Sequence, residues 1–260
     1  MIGAMKLPVF AALLLTVGSL APPAEARSLD IILAQGAIGQ CAHPNALPFS
    51  SRKGEPAGFQ IELGDAIAKQ IGVALEPIWV VGGHQVRRSG CDIVTDAIAD
   101  REVQDESGLK LSKPYYRTGI VLAVPRDSPI VRSDAIDRHA KIGVMGSSVA
   151  SMTFNQLGLT TSTFGFEDEM LQALADKEID GAAISRSAAE YFNLAHPDQA
   201  VRLVGIDRLS GAFSWNVAVG MLKSDDKLRA AIDSAIDRLT ADGTIKRIYA
   251  KYGIDLQPPK

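Results

Sequence analysis

Few side chains in this chain stand at a spacing that a reaction or a metal needs. The four histidines, His43, His84, His139 and His196, lie about 40 or more residues apart, so no pair has metal-ligand spacing and loop or surface roles are expected for them. Two cysteines cannot supply a four-thiolate zinc or iron–sulfur centre, and no metal or cofactor is expected. Asp96 and Arg101 follow an apolar, strand-like run. There a carboxylate and a guanidinium either reach a cleft or form a solvated ion pair. Gly143-Val144-Met145-Gly146-Ser147-Ser148 reads as a strand, a turn and a helix start, whose free N–H groups suit an anion or carboxylate. Ser147 and Ser148 are the candidate contacts; the motif lacks a P-loop lysine, and a well-capped helix accounts for it equally. Phe49, Tyr115, Tyr116, Phe213 and Trp215 are candidates for a cleft or partner surface, against the plainer alternative of core packing.

The elements that must position these groups belong to an ordinary globular chain. It has 260 residues, 47% hydrophobic and 22% charged, with 27 basic against 30 acidic side chains and a formal charge of -3. This composition argues against disorder and coiled coil, and gives no electrostatic reason for a nucleic-acid partner. Lys6, the apolar run from Leu7 to Ala21, and Pro22-Pro23-Ala24-Glu25-Ala26 have the order of a secretory signal peptide. The apolar run is shorter than the roughly 20 residues a spanning helix needs. Cleavage after Ala26 is predicted, leaving a soluble, monomeric protein in the periplasm, where Cys41 and Cys91 either pair or remain free thiols.

Leu29 to Ala34 reads as a first buried strand and Gln35 to Ser51 as a loop. A helix from Gly58 to Ile71 follows, with strands at Val73 to Val81, Cys91 to Ile98 and Gly119 to Val124. After a polar stretch from Pro125 the pattern restarts. Strands are expected at Lys141 to Met145, Gly181 to Ile184, Val201 to Val204 and Trp215 to Leu222, and helices at about Val149, Glu167 to Lys177 and Ser187 to Leu194. Leu228, Ala231, Ile232, Ala235, Ile236 and Leu239 then make one apolar stripe of a long helix, and Ile245, Ile248, Tyr249 and Tyr252 continue in a short one. The expected architecture is α/β with a parallel, two-sided sheet in two lobes. Residues 27–124 with 223–260 form lobe 1 and residues 125–222 form lobe 2. The chain crosses near Ala123-Val124 and Gly220-Met221, and a hinged cleft at the strand ends is the natural ligand site.

Gly58-Phe59-Gln60-Ile61-Glu62-Leu63, Cys91-Asp92-Ile93-Val94, Ser112-Lys113-Pro114-Tyr115-Tyr116 and Leu239 to Gly253 resemble motifs of the type II periplasmic solute-binding proteins of the polar amino-acid class. That resemblance implies a two-lobed fold with two crossover hinge strands. In such binders an Arg near the position of Arg101 grips the ligand carboxylate, but Arg101 lies farther from Pro114 than the family spacing. An Asp holds the ligand ammonium where this chain has Ser185, so an ordinary α-amino acid is a poor ligand on this reading. Cys41 to Ser50, Gly90-Cys91-Asp92 and Pro114-Tyr115-Tyr116-Arg117 resemble, more narrowly, the MxaJ/XoxJ family of proteins associated with quinoprotein methanol dehydrogenases.

The narrower resemblance implies a non-catalytic accessory protein that binds a PQQ-dependent, lanthanide-type methanol dehydrogenase and aids its activation or maturation. Phe49, Asp96, Arg101, Tyr115, Ser147, Ser148, Ser185 and Trp215 form the expected ligand or partner cleft. The alternative is a solute-binding protein of an ABC transporter. An enzyme is disfavoured: the cyclohexadienyl dehydratases of this fold need a cleft carboxylate as general acid, and Asp96 alone is a candidate.

Overall fold

The computed structural model describes residues 27–100, 108–222 and 224–260. The predicted signal segment and Arg101 lie outside them. The chain opens with α1 (Leu29–Gln35), a helix where a strand was expected. The reason lies at its ends, where the Ser28 side chain accepts from the Ile31 N–H and Gly36 closes the helix at φ 69°. Ile32 is buried while Ile31 and Leu33 are exposed, the one-sided burial of a surface helix. The first strand, β1 (Ala37–Ala42), lies inside the stretch expected as a loop. It is buried along nearly its whole length, so it carries no alternation that a sequence pattern could reveal.

The elements that follow are a short β2 (Asn45–Ala46) and β3 (Ser50–Ser51), α2 (Phe59–Ile71), β4 (Ala74–Trp79), α3 (Gly83–Val86), β5 (Ile93–Ile98), β6 (Leu109–Leu111) and the long β7 (Tyr116–Val124). Next come β8 (Lys141–Met145), α4 (Val149–Gln156), β9 (Thr160–Phe164), α5 (Glu167–Ala175), β10 (Gly181–Ser185), α6 (Arg186–Ala195) and β11 (Arg202–Gly205). The chain ends with β12 (Ser214–Leu222), α7 (Asp226–Ala241) and α8 (Thr244–Lys251). β9 was not foreseen, because its Thr-rich residues are half-buried or exposed at the sheet margin and lack an apolar signature.

The sheet runs β4-β1-β5-β12-β7-β10-β8-β9, with β6 on β12 and β11 on β7. It is mixed rather than parallel as expected: β1 is parallel to β4 and β5, but β12 runs antiparallel to β5 and β7, and β10 antiparallel to β7. A chain that crosses between lobes in β7 and returns in β12 must lay the two crossing strands in opposite directions. β7 changes partners midway, pairing through Gly119 with β12 and from Ile120 with β10. Val121 to Val124 lie in the second lobe's cores, whereas Val217, Val219 and Met221 lie in the first. Both crossings therefore come earlier along the chain than Ala123-Val124 and Gly220-Met221.

Two glycines mark close approaches. A Cβ on Gly119 would meet the Phe213 carbonyl oxygen at 2.0 Å, and one on Gly64 would meet Gln40 Oε1 at 1.7 Å, so only glycine lets the crossing chains and α2 pack this tightly. The C-terminal helices return to the first core with Leu228, Ile232, Ile236, Leu239, Ile245 and Tyr249. Tyr252 fixes them to α2: its hydroxyl accepts from Gly58 N–H at 2.8 Å and donates to Glu62 at 2.6 Å.

Candidate functional site

The site is set by where strands end. Ile98, closing β5, pairs with Val217 of β12, which pairs with Tyr116 of β7; Ser185, closing β10, pairs with Ile120. Along the direction of β7, the carboxyl ends of β5 and β10 thus point toward each other with a four-residue offset. Strand ends that meet at a change of strand order leave room for a small ligand.

On the first lobe, Asp96 of β5 meets Gln60 in the first turn of α2, whose Nε2 donates to its Oδ2 at 2.7 Å. Gln60 is itself buried, and its carbonyl accepts from Gln40 Nε2 at 3.0 Å, so β1, β5 and α2 hold one another through amide groups. Asp96 is exposed at the surface of the lobe, with protein packed around its carboxyl. Desolvation there raises its carboxyl above the usual range, and the Gln60 bond offsets only part of this.

On the second lobe, Glu167 opens α5 and reaches back to the end of β10. It accepts from Ser185 N–H at 2.6 Å and from Ser185 Oγ at 2.7 Å. Desolvation raises Glu167 above the usual carboxylate range against these two bonds. Among the described residues, no Lys or Arg ion pair is made with Asp96 or Glu167. Ser185 does stand where the solute-binding resemblance expected an Asp, but the site does not lack a carboxylate, since Glu167 brings one from the next helix. Glu167 was missed because β9, the strand leading to it, was not read, and a Glu in a first turn looks like ordinary dipole complementarity.

The remaining predicted residues separate. Tyr115 is buried, its hydroxyl donating to the Thr95 carbonyl and accepting from the Tyr249 hydroxyl at 3.3 Å; it is core rather than cleft. Phe49 is half-buried with its ring 5.1 Å from Phe59, and Trp215 is half-buried on β12 at the hinge against the first core. Ser148 caps α4, its Oγ accepting from Ser151 N–H at 3.1 Å and donating to Met145 O at 2.7 Å, which occupies the hydroxyl. Ser147 is exposed at φ 57°, a left-handed conformation rare outside glycine. Tyr116 lies beside Ser187 of the second lobe, and burial pushes its hydroxyl up to about 12. Cys41 and Cys91 form a disulfide, which decides the alternative left open. A cavity of about 210 Å³ lies at the crossings, lined among others by Arg117, Gly119, Arg186, Asp207, Phe213 and Gln257.

A two-lobed α/β chain, crossed twice by its strands and presenting polar groups where strand ends meet, is a type II binding-protein fold. This chain belongs to the bacterial extracellular solute-binding proteins, family 3, whose model matches residues 38–255. It is 26% identical over 235 residues to the probable amino-acid-binding protein YxeM of Bacillus subtilis, covering 86% of this chain and 84% of that one. It is also 26% identical to the lysine/arginine/ornithine-binding periplasmic protein of Escherichia coli, covering 79% and 83%. An ancestral cationic amino acid solute-binding protein shares the fold at TM-score 0.73 and 21% identity, covering 87% and 99%. These relatives are binding proteins rather than enzymes, and none of the three is a dehydrogenase accessory protein. Membership of the family places the protein on the periplasmic or extracellular side, and among the described residues no helix is long and apolar enough to cross a membrane.

Proposed function

We propose that the protein captures a small, positively charged solute of amino-acid size between its lobes and delivers it to an ABC importer. The observation that carries this is the pair of carboxylates near opposing strand ends, Asp96 held by Gln60 and Glu167 held by Ser185. Two carboxylates without an ion-pair partner among the described residues favour a cation that neutralises them, and disfavour an anionic solute. The cationic solutes in the names of some relatives point the same way. Export with cleavage after Ala26 would place the site in the periplasm.

The test is a thermal-shift and calorimetric titration of the mature protein with L-arginine, L-lysine, L-histidine, L-leucine and L-glutamate. Saturable binding of a basic amino acid, weakened at least about tenfold by Asp96→Asn or Glu167→Gln, is the expected result. Tighter binding of L-glutamate, or no binding of any basic amino acid, overturns it.

A second reading, docking on a quinoprotein methanol dehydrogenase, rests on the Cys41 to Ser50 motif. One observation favours it: that loop is a built feature, tied by the Cys41–Cys91 bridge, the β2–β3 pairing and the Phe49–Phe59 contact. Co-elution with such a dehydrogenase at low salt would support it, and its absence at micromolar concentrations would remove it.

A further inference from the structure

Asp92 immediately precedes β5, at the end away from the cleft, and is completely buried. A buried carboxylate needs donors on all sides, and three of its four come from one residue. Arg27 donates its Nε to Oδ1 at 3.1 Å and its Nη2 to Oδ2 at 2.5 Å, and its own main-chain nitrogen lies 3.4 Å from Oδ1. The fourth is Gly39 N–H on β1 at 2.6 Å. The guanidinium Nη1 also bonds Gln35 of α1, so the start of the chain is pinned at both its main chain and its side chain.

Arg27 is also the residue that follows the predicted cleavage position. We infer that hydrolysis of the Ala26–Arg27 bond completes this site: the new α-ammonium of Arg27 becomes a charged ligand of Asp92 and latches the chain start onto β1 and β5. Water adds across the peptide bond, the carboxylate leaves with Ala26, and the amide nitrogen, already facing Asp92, becomes an ammonium. A neutral N–H at 3.4 Å thereby becomes a charge-assisted donor, about twice as strong. The charged groups around the chain start are Asp92, which faces this amine, the guanidinium of Arg27 itself with Glu76 acting on it, and, two residues on at Leu29 N–H, Asp225 at the α7 N-cap, which also acts on Lys227. Asp92, in direct contact, favours the ammonium. The latch makes export and final stability one event, independent of what the cleft binds.

The experiment compares three forms of the mature protein: a free amine on Arg27, an acetylated amine, and one extra Gly before Arg27. Each is also made with Asp92→Asn. At pH 7 the free-amine form melts higher than the acetylated form by about 2–4 °C, and this difference vanishes with Asn at position 92. The amine partner raises the amine pKa on folding, so the advantage is complete below its free value of about 8 and disappears as pH rises through the folded value. The Gly-extended form, whose ammonium is displaced by one residue, behaves like the acetylated one. Equal melting of free and acetylated forms in the Asp92 background overturns the latch, and that comparison stands even if Asp92→Asn fails to fold. Exported protein whose N-terminal residue is not Arg27 overturns it as well.

Discussion

Gln60 and Ser185 perform the same task on opposite lobes: each holds a carboxylate by uncharged hydrogen bonds and leaves its charge without a cationic partner among the described residues. Amide and hydroxyl donors orient the acid while preserving a demand for positive charge, which an arginine would have satisfied internally. Desolvation raises both carboxyls, and the sign has two consequences. Because the folded state binds these protons more tightly than the unfolded chain, lowering pH through their range stabilises the empty protein relative to Asp96→Asn. The same protonation removes the charge that attracts the solute, so affinity for a basic amino acid falls. Calorimetry as pH is lowered from 7.5 checks this, with weaker binding and a relatively higher melting temperature of the empty protein at acid pH. Affinity that stays flat until the empty protein's own acid stabilisation is complete would show that neither carboxyl carries the attraction.

At the scale of elements, two devices hold the first lobe's strand ends. The Cys41–Cys91 bridge joins the close of β1 to the residue just before Asp92 and closes 50 residues of chain. Removing it by Cys41→Ser with Cys91→Ser is expected to cost about 2–4 kcal/mol in a chemical denaturation titration. The loss falls on the lobe as a whole, because the cleft carboxylates hang on other contacts. Gly64 is the second device. Any Cβ there collides with Gln40 Oε1, and Gln40 is the buried amide that reaches Gln60 O and Thr95 Oγ1. Gly64→Val should therefore weaken solute binding as well as lower the melting temperature, whereas Gly72→Ala, at a helix end with open space around it, should alter stability alone. Equal binding by both variants would uncouple α2 packing from the site.

The whole molecule is built around two crossing strands that meet at Gly119 and Phe213. On the proposed function, with one carboxylate on each lobe, a bound cation would be held from both sides, and closure would be driven by the difference in contacts between open and closed forms. A basic amino acid at saturation should shrink the radius of gyration in small-angle scattering and change the emission of Trp215, which sits at the hinge. Asp96→Asn should abolish both changes at the same ligand concentration. A solute that binds without compaction would mean that one lobe suffices.

The sequence determined the elements whose signals are local. The spaced Leu63, Ile67 and Ile71 of α2, the Ser148 cap of α4, the Asp225 cap of α7 and its apolar stripe all follow from short-range chemistry, as does the neighbourhood of the two cysteines. The first strand did not, because a centrally buried strand has no alternation and its preceding helix is signalled only by its caps. Nor did the direction of the sheet, since the antiparallel run of β12 depends on the chain returning to the first lobe. The site divides in the same way: Asp96 was legible as a polar residue late in an apolar strand, which the structure places inside β5, but Glu167 lies 18 residues before Ser185 and reaches it only because β9 and β10 flank β8 in one sheet. Local propensity acts over a turn or two, whereas the pairing of a carboxylate with a distant strand end is fixed by topology and packing alone.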